Sequence, residues 1–264
     1  MLTALSAEAE PAMAIITLTT DFGTRDGYVG AVKGVIARLA PDTTIVDIAH
    51  DIPRGDVAHA AWVVSTSCQE FPHGTIHVVV VDPGVGGARH EVIVKVVGHW
   101  FVGPDNGAFA YVAERVSDAW AIESAAFRAK RVNRTFHGRD IFAPAAAAIA
   151  RGVDVTSAGP MVRLTGALPW GTRARGQGRI VHVDHYGNLV TDLPPGEAGD
   201  AVTVAGHTLP IVGTYEDVAP GELLAYVGSA RTIEIAVRDG RADARLDVPR
   251  GTVVLPAAVG EPYR

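Results

Sequence analysis

The sequence predicts an α/β chain: a layered domain in which helices cover a mostly parallel sheet, followed by a smaller all-β domain. Three observations carry this reading. The run Val78 to Val81 leads straight into Asp82-Pro83-Gly84, and an unbroken apolar run of this kind is a strand buried on both faces, as in a parallel sheet between helix layers. Up to about residue 150, β-branched runs alternate with helical apolar spacing, the pattern of a doubly wound layer. Beyond residue 178, short strand signals recur at close spacing with turn residues between them, which implies a small β-barrel or sandwich.

With 264 residues, 48% of them hydrophobic, the chain has ample material for one large core or two smaller ones. Its net charge is −6 and its pI about 5.9, and no basic stripe stands out. That balance excludes nucleic-acid and anionic-membrane partners. A single cysteine, Cys68, rules out an intrachain disulfide and a cysteine-based zinc site. It lies in an apolar helical pattern, as a small buried hydrophobe in a protein of the reducing cytoplasm. The opening MLTALSAEAEPAMA lacks the basic and long apolar regions of a secretory signal, and no apolar run approaches a membrane span. Residues 1–13 read as a disordered extension, with Met13 an alternative start.

Taken in order, Ile15 to Thr20 is a β-branched strand ending in Asp21-Phe22-Gly23. The following helix places Tyr28, Val32, Val35, Ile36 and Leu39 at helical spacing, and Pro41 stops it. An Asp at a strand tip before a helix suits the vicinal hydroxyls of a ribose, or else it caps the helix. No G-x-G-x-x-G or P-loop follows, so a nucleoside without phosphates fits better than a dinucleotide. Thr44 to Ile48 is the next strand, and Asp56 caps a helix bearing Val57, Ala60, Ala61, Val64 and Cys68 on one face. After the valine strand come Asp82 at its carboxyl end, a glycine-rich loop, and Arg89. Strands at Glu91–Val97 and Trp100–Val102 follow, then the loop GPDNG. His137 stands just before a helix, Ile141–Ala150, whose alanines imply close packing; Arg139 and Asp140 are able to pair with each other. The layered domain therefore runs over 14–165, a Gly, Pro and Arg-rich linker over 166–178 and the β domain over 179–264. Strands of the latter are expected at Gly178–Asp184, Asn188–Asp192, Ala201–Val204, His207–Val212, Leu223–Val227, Thr232–Val237, Ala244–Leu246 and Thr252–Leu255.

Five segments then occur in a specific order: TTDFG at 19–23, DPGVGG at 82–87, GPDNG at 103–107, FHGRDIFAPAA at 136–146 and DHYGNLVTD at 184–192. Together they make the chain resemble the S-adenosylmethionine hydrolases (hydroxide adenosyltransferases), relatives of the fluorinating and chlorinating enzymes, over residues 15–257. The resemblance implies a Rossmann-like N-terminal domain, a C-terminal β-barrel and a homotrimer with active sites between the N-terminal domain of one subunit and the C-terminal domain of the next. It implies that Asp82, Arg89 and His137 handle water and that Asp21 holds the ribose hydroxyls. Asp184 and Ser229 would take the amino-acid end of the substrate, and Asn188 with backbone around Val237 the adenine. The chain departs from the family pattern at Gly228, where members often carry Asn, and at Ala230, where halogenating relatives have a larger side chain.

The implied reaction is displacement at C5′ of S-adenosylmethionine by water, giving adenosine and L-methionine with no cofactor and no metal. Methionine leaves as a neutral thioether and needs no general acid. Water, with a pKa of about 15.7, is the poor partner. An arginine about 4 Å away at an effective dielectric near 20 favours hydroxide by about 4 kcal/mol, so a base, His137 or Asp82, is also required. Where halogenating relatives place a tyrosine and a serine, this chain has Asp82 and Gly138, and a carboxylate repels a halide. The competing readings are a halogenase that makes 5′-halo-5′-deoxyadenosine, and a sensor that binds S-adenosylmethionine or adenosine without turnover.

Overall fold

The computed structural model describes residues 13–113 and 118–258, and the chain divides into two compact units after Ala167. Met13 apart, the extension expected over residues 1–13 lies outside the described residues.

The first unit is built on six strands, β1 (Ile15–Thr20), β2 (Thr44–Ala49), β3 (Ile76–Val80), β4 (Glu91–Val96), β5 (His99–Pro104) and β6 (Asp118–Ala121), in the order β2-β1-β3-β5-β4-β6. β2, β1, β3 and β5 pair in parallel, with Thr20 beside Val80 and Val78 beside Val102. Their carboxyl ends thus share one edge, where Asp21 and Asp82 follow adjacent strands. β4 departs from the expected parallel pattern, because Val97 and Gly98 both take positive φ (44° and 82°) and fold β4 and β5 into a hairpin. That turn ends the strand one residue before the predicted Val97. It also reverses β4, so that its first residue, Glu91, sits opposite Pro104 at the carboxyl edge.

Side chains alternate across the sheet, and both faces are covered. Val78 and Val80 pack on one face with Ile16 and Leu18 against α1 (Tyr28–Leu39), while Val79 and Val81 pack on the other against α2 (Val57–Ser67) and α3 (Ala110–Ala113). Asp56 caps α2, accepting from the His59 N–H at 3.0 Å. The last helix of the unit, α4 (Ala143–Ala150), is preceded by a wide π turn over Gly138–Phe142 where the sequence suggested ordinary helix from Ile141. Its buried alanines let it lie close to β3 and α1. At the opposite, amino end of the sheet, His77 is buried with Nδ1 2.8 Å from the Thr17 hydroxyl and Nε2 3.3 Å from His99 Nδ1.

The second unit resolves the choice between barrel and sandwich. Strands β7 (Gly178–Val183), β8 (Leu189–Thr191), β9 (Ala201–Val204), β10 (His207–Val212), β11 (Leu223–Val227), β12 (Ile233–Val237) and β13 (Val253–Ala257) close into a barrel in the order β10-β11-β12-β8-β7-β13-β9. Ile180, Leu189, Val202, Ile233, Ile235 and Val254 fill its interior. One expected strand is corrected: Ala244–Leu246 belongs to a short helix, α5 (Ala242–Leu246), ended by Asp247 in the left-handed region at φ 47°. Ala, Arg and Leu favour helix over strand, and no β-branched residue opposes them. Among the described residues, no helix is long and apolar enough to cross a membrane.

Burial and the neighbouring His99 push the His77 imidazole down to about 3. The fold therefore refuses a proton that the unfolded chain accepts below its ordinary value of about 6.5. Stability is complete above that value and falls as the pH drops from 6.5 towards 3, by on the order of 5 kcal/mol for His77. Urea-unfolding midpoints measured between pH 7 and pH 4 should decline on this account, and His77→Gln should flatten the decline.

Candidate active site

The site at the carboxyl edge begins with the loop after β3. Two tight turns, Val85 N–H to the Asp82 carbonyl at 3.2 Å and Gly87 N–H to the Gly84 carbonyl at 3.0 Å, fold the chain back so that Arg89 returns beside Asp82. Gly86 takes φ +75°, and a Cβ there would stand 2.5 Å from the Arg134 carbonyl oxygen. Only glycine combines this backbone with so close an approach to the segment leading to His137.

Arg89 grips Asp82 through two N–H groups. Nε donates to Oδ1 at 3.1 Å and Oδ2 at 3.0 Å, and Nη2 also donates to Oδ2. Nη1 donates to Glu91 Oε1 at 2.8 Å, while Nη2 lies 2.9 Å from His137 Nδ1. Glu91 Oε1 is itself 3.1 Å from the same Nδ1, and its Oε2 accepts from Arg128 Nη2 at 3.3 Å. The Arg89 and Asp82 side chains are 10% and 4% exposed, so the pair operates away from bulk water. Burial alone would lower the guanidinium pKa, but the hydrogen bonds to Asp82 and Glu91 outweigh it and raise the value. His137 is held below its ordinary value, first by burial and then by the Arg89 cation. Its imidazole is therefore neutral at pH 7, and its Nε2 meets no hydrogen-bonding group among the described residues.

Asp21 lies on the same edge. It does not cap α1, which starts after Gly27 with no side-chain cap. Its Oδ2 instead accepts from the Gly55 N–H at 2.8 Å, leaving Oδ1 without a hydrogen bond among the described residues. The Gly55 turn also packs on Pro83, where a Cβ on Gly55 would be 3.6 Å from the Pro83 Cβ. Asp21 and the Asp82 loop are thereby bridged. Phe22, Tyr28 and Phe136 stack edge to face beside them, and Gly138 leaves room for the Phe22 ring.

In the barrel unit, Asp184 and Asn188 stand together. Asp184 Oδ1 accepts from the Tyr186 and Asn188 N–H groups at 2.9 and 2.8 Å, and Oδ2 accepts from Asn188 Nδ2 at 2.9 Å. Asn188 Nδ2 also donates to the Tyr215 hydroxyl at 3.0 Å, and a chain of hydroxyls runs on through Tyr226 to Glu234 Oε2 at 2.5 Å. Burial, together with the Asp184 charge, pushes the Glu234 carboxyl up. The Glu234 side chain lies over Gly228, so a Cβ at 228 would require Glu234 to move. Ser229, the next residue, is exposed, whereas the Val237 side chain is buried in the barrel core and its carbonyl accepts the Gly240 N–H at 3.2 Å.

Thus Asp82, Arg89 and His137 form one hydrogen-bonded group with Asp21 beside it, and Asp184 and Asn188 form another. Among the described residues, neither Ser229, exposed beside Gly228, nor Val237, whose carbonyl accepts from Gly240, makes a hydrogen bond to this second group. Glu91 and Arg128 escaped the sequence reading. The sequence marked Glu91 only as the first residue of a strand, and the reversal of β4 is what brings it to this edge. Among the described residues, no group of three or more His, Cys, Asp or Glu side chains is placed to hold a metal ion.

Sequence models of the SAM hydroxide adenosyltransferase N-terminal and C-terminal domains match residues 16–159 and 178–255. The chain belongs to this family. All eight residues singled out from the sequence fall within those matches. A Thermus thermophilus protein named (R)-S-adenosyl-L-methionine hydrolase is 37% identical over 247 residues, covering 89% of this chain and 96% of its own. A fluorinase from Actinoplanes sp. is more distant, 25% identical over 84% of this chain and 90% of its own. The crystal structure of an uncharacterized conserved protein from Thermotoga maritima superimposes with a TM-score of 0.83 at 34% identity, covering 91% of this chain and 98% of that one.

Gly86→Ala should cost more than about 1 kcal/mol, because alanine is strained at positive φ and meets backbone rather than a movable side chain. Thermal unfolding should show the loss. Because the clash separates the Asp82 loop from the His137 segment, turnover at a temperature where the variant stays folded should fall further than the stability loss accounts for.

Proposed function

We propose that this chain hydrolyses S-adenosyl-L-methionine to adenosine and L-methionine, by in-line attack of a water oxygen on the ribose C5′. The observation that carries the reading is its 37% identity, over 89% of its length, to a protein named as that hydrolase. The polar group at the carboxyl edge supplies what the reaction needs. Water gives one proton to a base as its oxygen bonds to C5′; the C5′–S bond breaks with its electron pair going to sulfur; and methionine leaves as a neutral thioether. The bound proton then passes to solvent, so sulfonium cation plus water yields two products and one proton. No cofactor enters this balance, and S-adenosylmethionine is substrate.

His137 is the base in this reading. Both oxygens of Asp82 are engaged by Arg89, whereas the His137 Nε2 is open and the imidazole neutral at pH 7. Arg89, flanked by the carboxylates of Asp82 and Glu91, presents far less net charge to a water than the ~4 kcal/mol of a bare cation at 4 Å. Its task is to hold the imidazole and the water in register, and positioning supplies much of the remaining acceleration. Asp21, with one oxygen free, takes the ribose hydroxyls. Asp184 and Ser229 take the amino-acid end, and Asn188 with the backbone at Val237 takes the adenine. The family likeness further supports a homotrimer with sites shared between neighbouring subunits, and a cytoplasmic protein.

Incubation with S-adenosylmethionine in heavy-oxygen water, using each sulfonium epimer, with and without chloride, should give adenosine labelled at the 5′ oxygen. A chlorinated nucleoside would replace this reading with a halogenase, and bound but intact substrate with a sensor. His137→Ala should lower kcat by about 10² to 10⁴, the usual worth of a positioned base.

A further inference from the structure

Asn188 is 5% exposed, and both protons of its side-chain amide are committed. Nδ2 donates one to Asp184 Oδ2 at 2.9 Å and the other to the Tyr215 hydroxyl oxygen at 3.0 Å. Beyond Tyr215 the direction of the chain follows from counting protons. Glu234 Oε2 accepts the Tyr226 hydroxyl proton at 2.5 Å, and a hydroxyl has one proton to give. In the 2.9 Å contact between the two tyrosines, Tyr215 is therefore the donor and Tyr226 the acceptor. Every bond then points from Asn188 towards Glu234. Sheet register fixes the far end, since Tyr226 on β11 pairs with Glu234 on β12, and Glu234 with Val190 on β8, the strand that follows Asn188.

We propose that Tyr226, anchored on Glu234, is a positioning residue that keeps Oδ1 as the one open atom of the Asn188 amide and so selects a 6-amino purine over a 6-oxo one. The inference deepens the hydrolase reading and rests on it for the placement of the base at Asn188. A flipped amide would set Oδ1 against the Asp184 carboxylate and against a Tyr215 oxygen whose proton is already given to Tyr226. Oδ1 itself accepts no hydrogen bond among the described residues, and an acceptor left open on so buried a side chain calls for an N–H from a ligand. With adenine joined to ribose, the 6-amino group is its one donor, because the unsubstituted ring nitrogens are acceptors. A 6-oxo purine puts an acceptor there instead, and it meets Oδ1 lone pair to lone pair.

Asp184 resists the flip from one side and the hydroxyl chain from the other. Without the Tyr226 oxygen, the Tyr215 proton loses its acceptor and turns on Asn188, where it favours Oδ1 over Nδ2. The flipped amide then offers N–H groups to the ligand, which suit a 6-oxo base. Tyr226 acts here through Tyr215, with no contact to the base required.

Titration calorimetry should show the wild-type protein binding adenosine more tightly than inosine by on the order of 100-fold. Tyr226→Phe should narrow that ratio by about 10-fold, the worth of one hydrogen bond, and should lower kcat/KM for S-adenosylmethionine mainly through KM. Damage to the barrel alone would weaken both nucleosides alike. An unchanged ratio in the folded variant therefore overturns the proposal, as do equal affinities in the wild type or binding of neither nucleoside. NMR gives a readout without ligand: the Asn188 Nδ2 protons, identified by their loss in Asn188→Asp, should exchange slowly in the wild type and faster in Tyr226→Phe. Wild-type exchange as fast as that of an exposed asparagine overturns the lock. If the nucleosides bind in the expected ratio but S-adenosylmethionine is not turned over, the hydrolase reading falls while the role of Tyr226 stands.

Discussion

The Arg89 guanidinium is a buried cation on which three separate parts of the chain converge. Asp82 comes from the end of β3, Glu91 from the start of β4 and His137 from the approach to the π turn before α4. A buried charge is tolerable only when paired and hydrogen-bonded, and breaking such a pair by removing one partner costs about 3 to 5 kcal/mol. The loops at this edge are therefore not free to wander. Gly86, where a Cβ would stand 2.5 Å from the Arg134 carbonyl oxygen, permits the close approach of the Asp82 loop to the segment leading to His137.

The same electrostatics set His137 apart from the carboxylates beside it. Asp82 accepts from Arg89 at both of its oxygens, whereas His137 is kept neutral by burial and by that cation's field. A neutral imidazole beside a buried ion cluster is suited to accept a proton at pH 7, which a protonated one is unable to do. The charge balance of the cluster also limits what Arg89 does by field alone. Two cations and two carboxylates, Arg89 and Arg128 with Asp82 and Glu91, nearly cancel at a distance. Their effect is local, through direction and proton position.

In the barrel, a polar chain has a different use. Asn188 and Asp184 satisfy each other, and Tyr215, Tyr226 and Glu234 extend the network beneath Gly228. Buried polar groups that are fully paired restrict rotamers more strongly than apolar packing does. This network fixes the 184–188 turn and the backbone ahead of Ser229. A side chain at 228 would have to displace Glu234 from this network.

The valine run and the β-branched segments by themselves determined the sheet strands β1, β2 and β3 and their carboxyl-end aspartates, because apolar periodicity and turn residues are local properties of the chain. The ordered motifs determined the family. Close spacing of short strands determined an all-β second half, though not whether it closed, since closure depends on pairing between β9 and β10 and around the ring. Local pattern also misjudged Ala244–Leu246, where three helix-favouring residues were too few to set a period. Asp21, Asp82 and His137 were legible as candidates by their places at strand ends or before a helix, and Arg89 through the family resemblance. What only the tertiary structure decided was their company. The Val97-Gly98 turn reverses β4, and that reversal delivers Glu91 to a histidine 46 positions further along the chain. No local rule reports the direction of a strand, because direction is settled by which neighbour it pairs with.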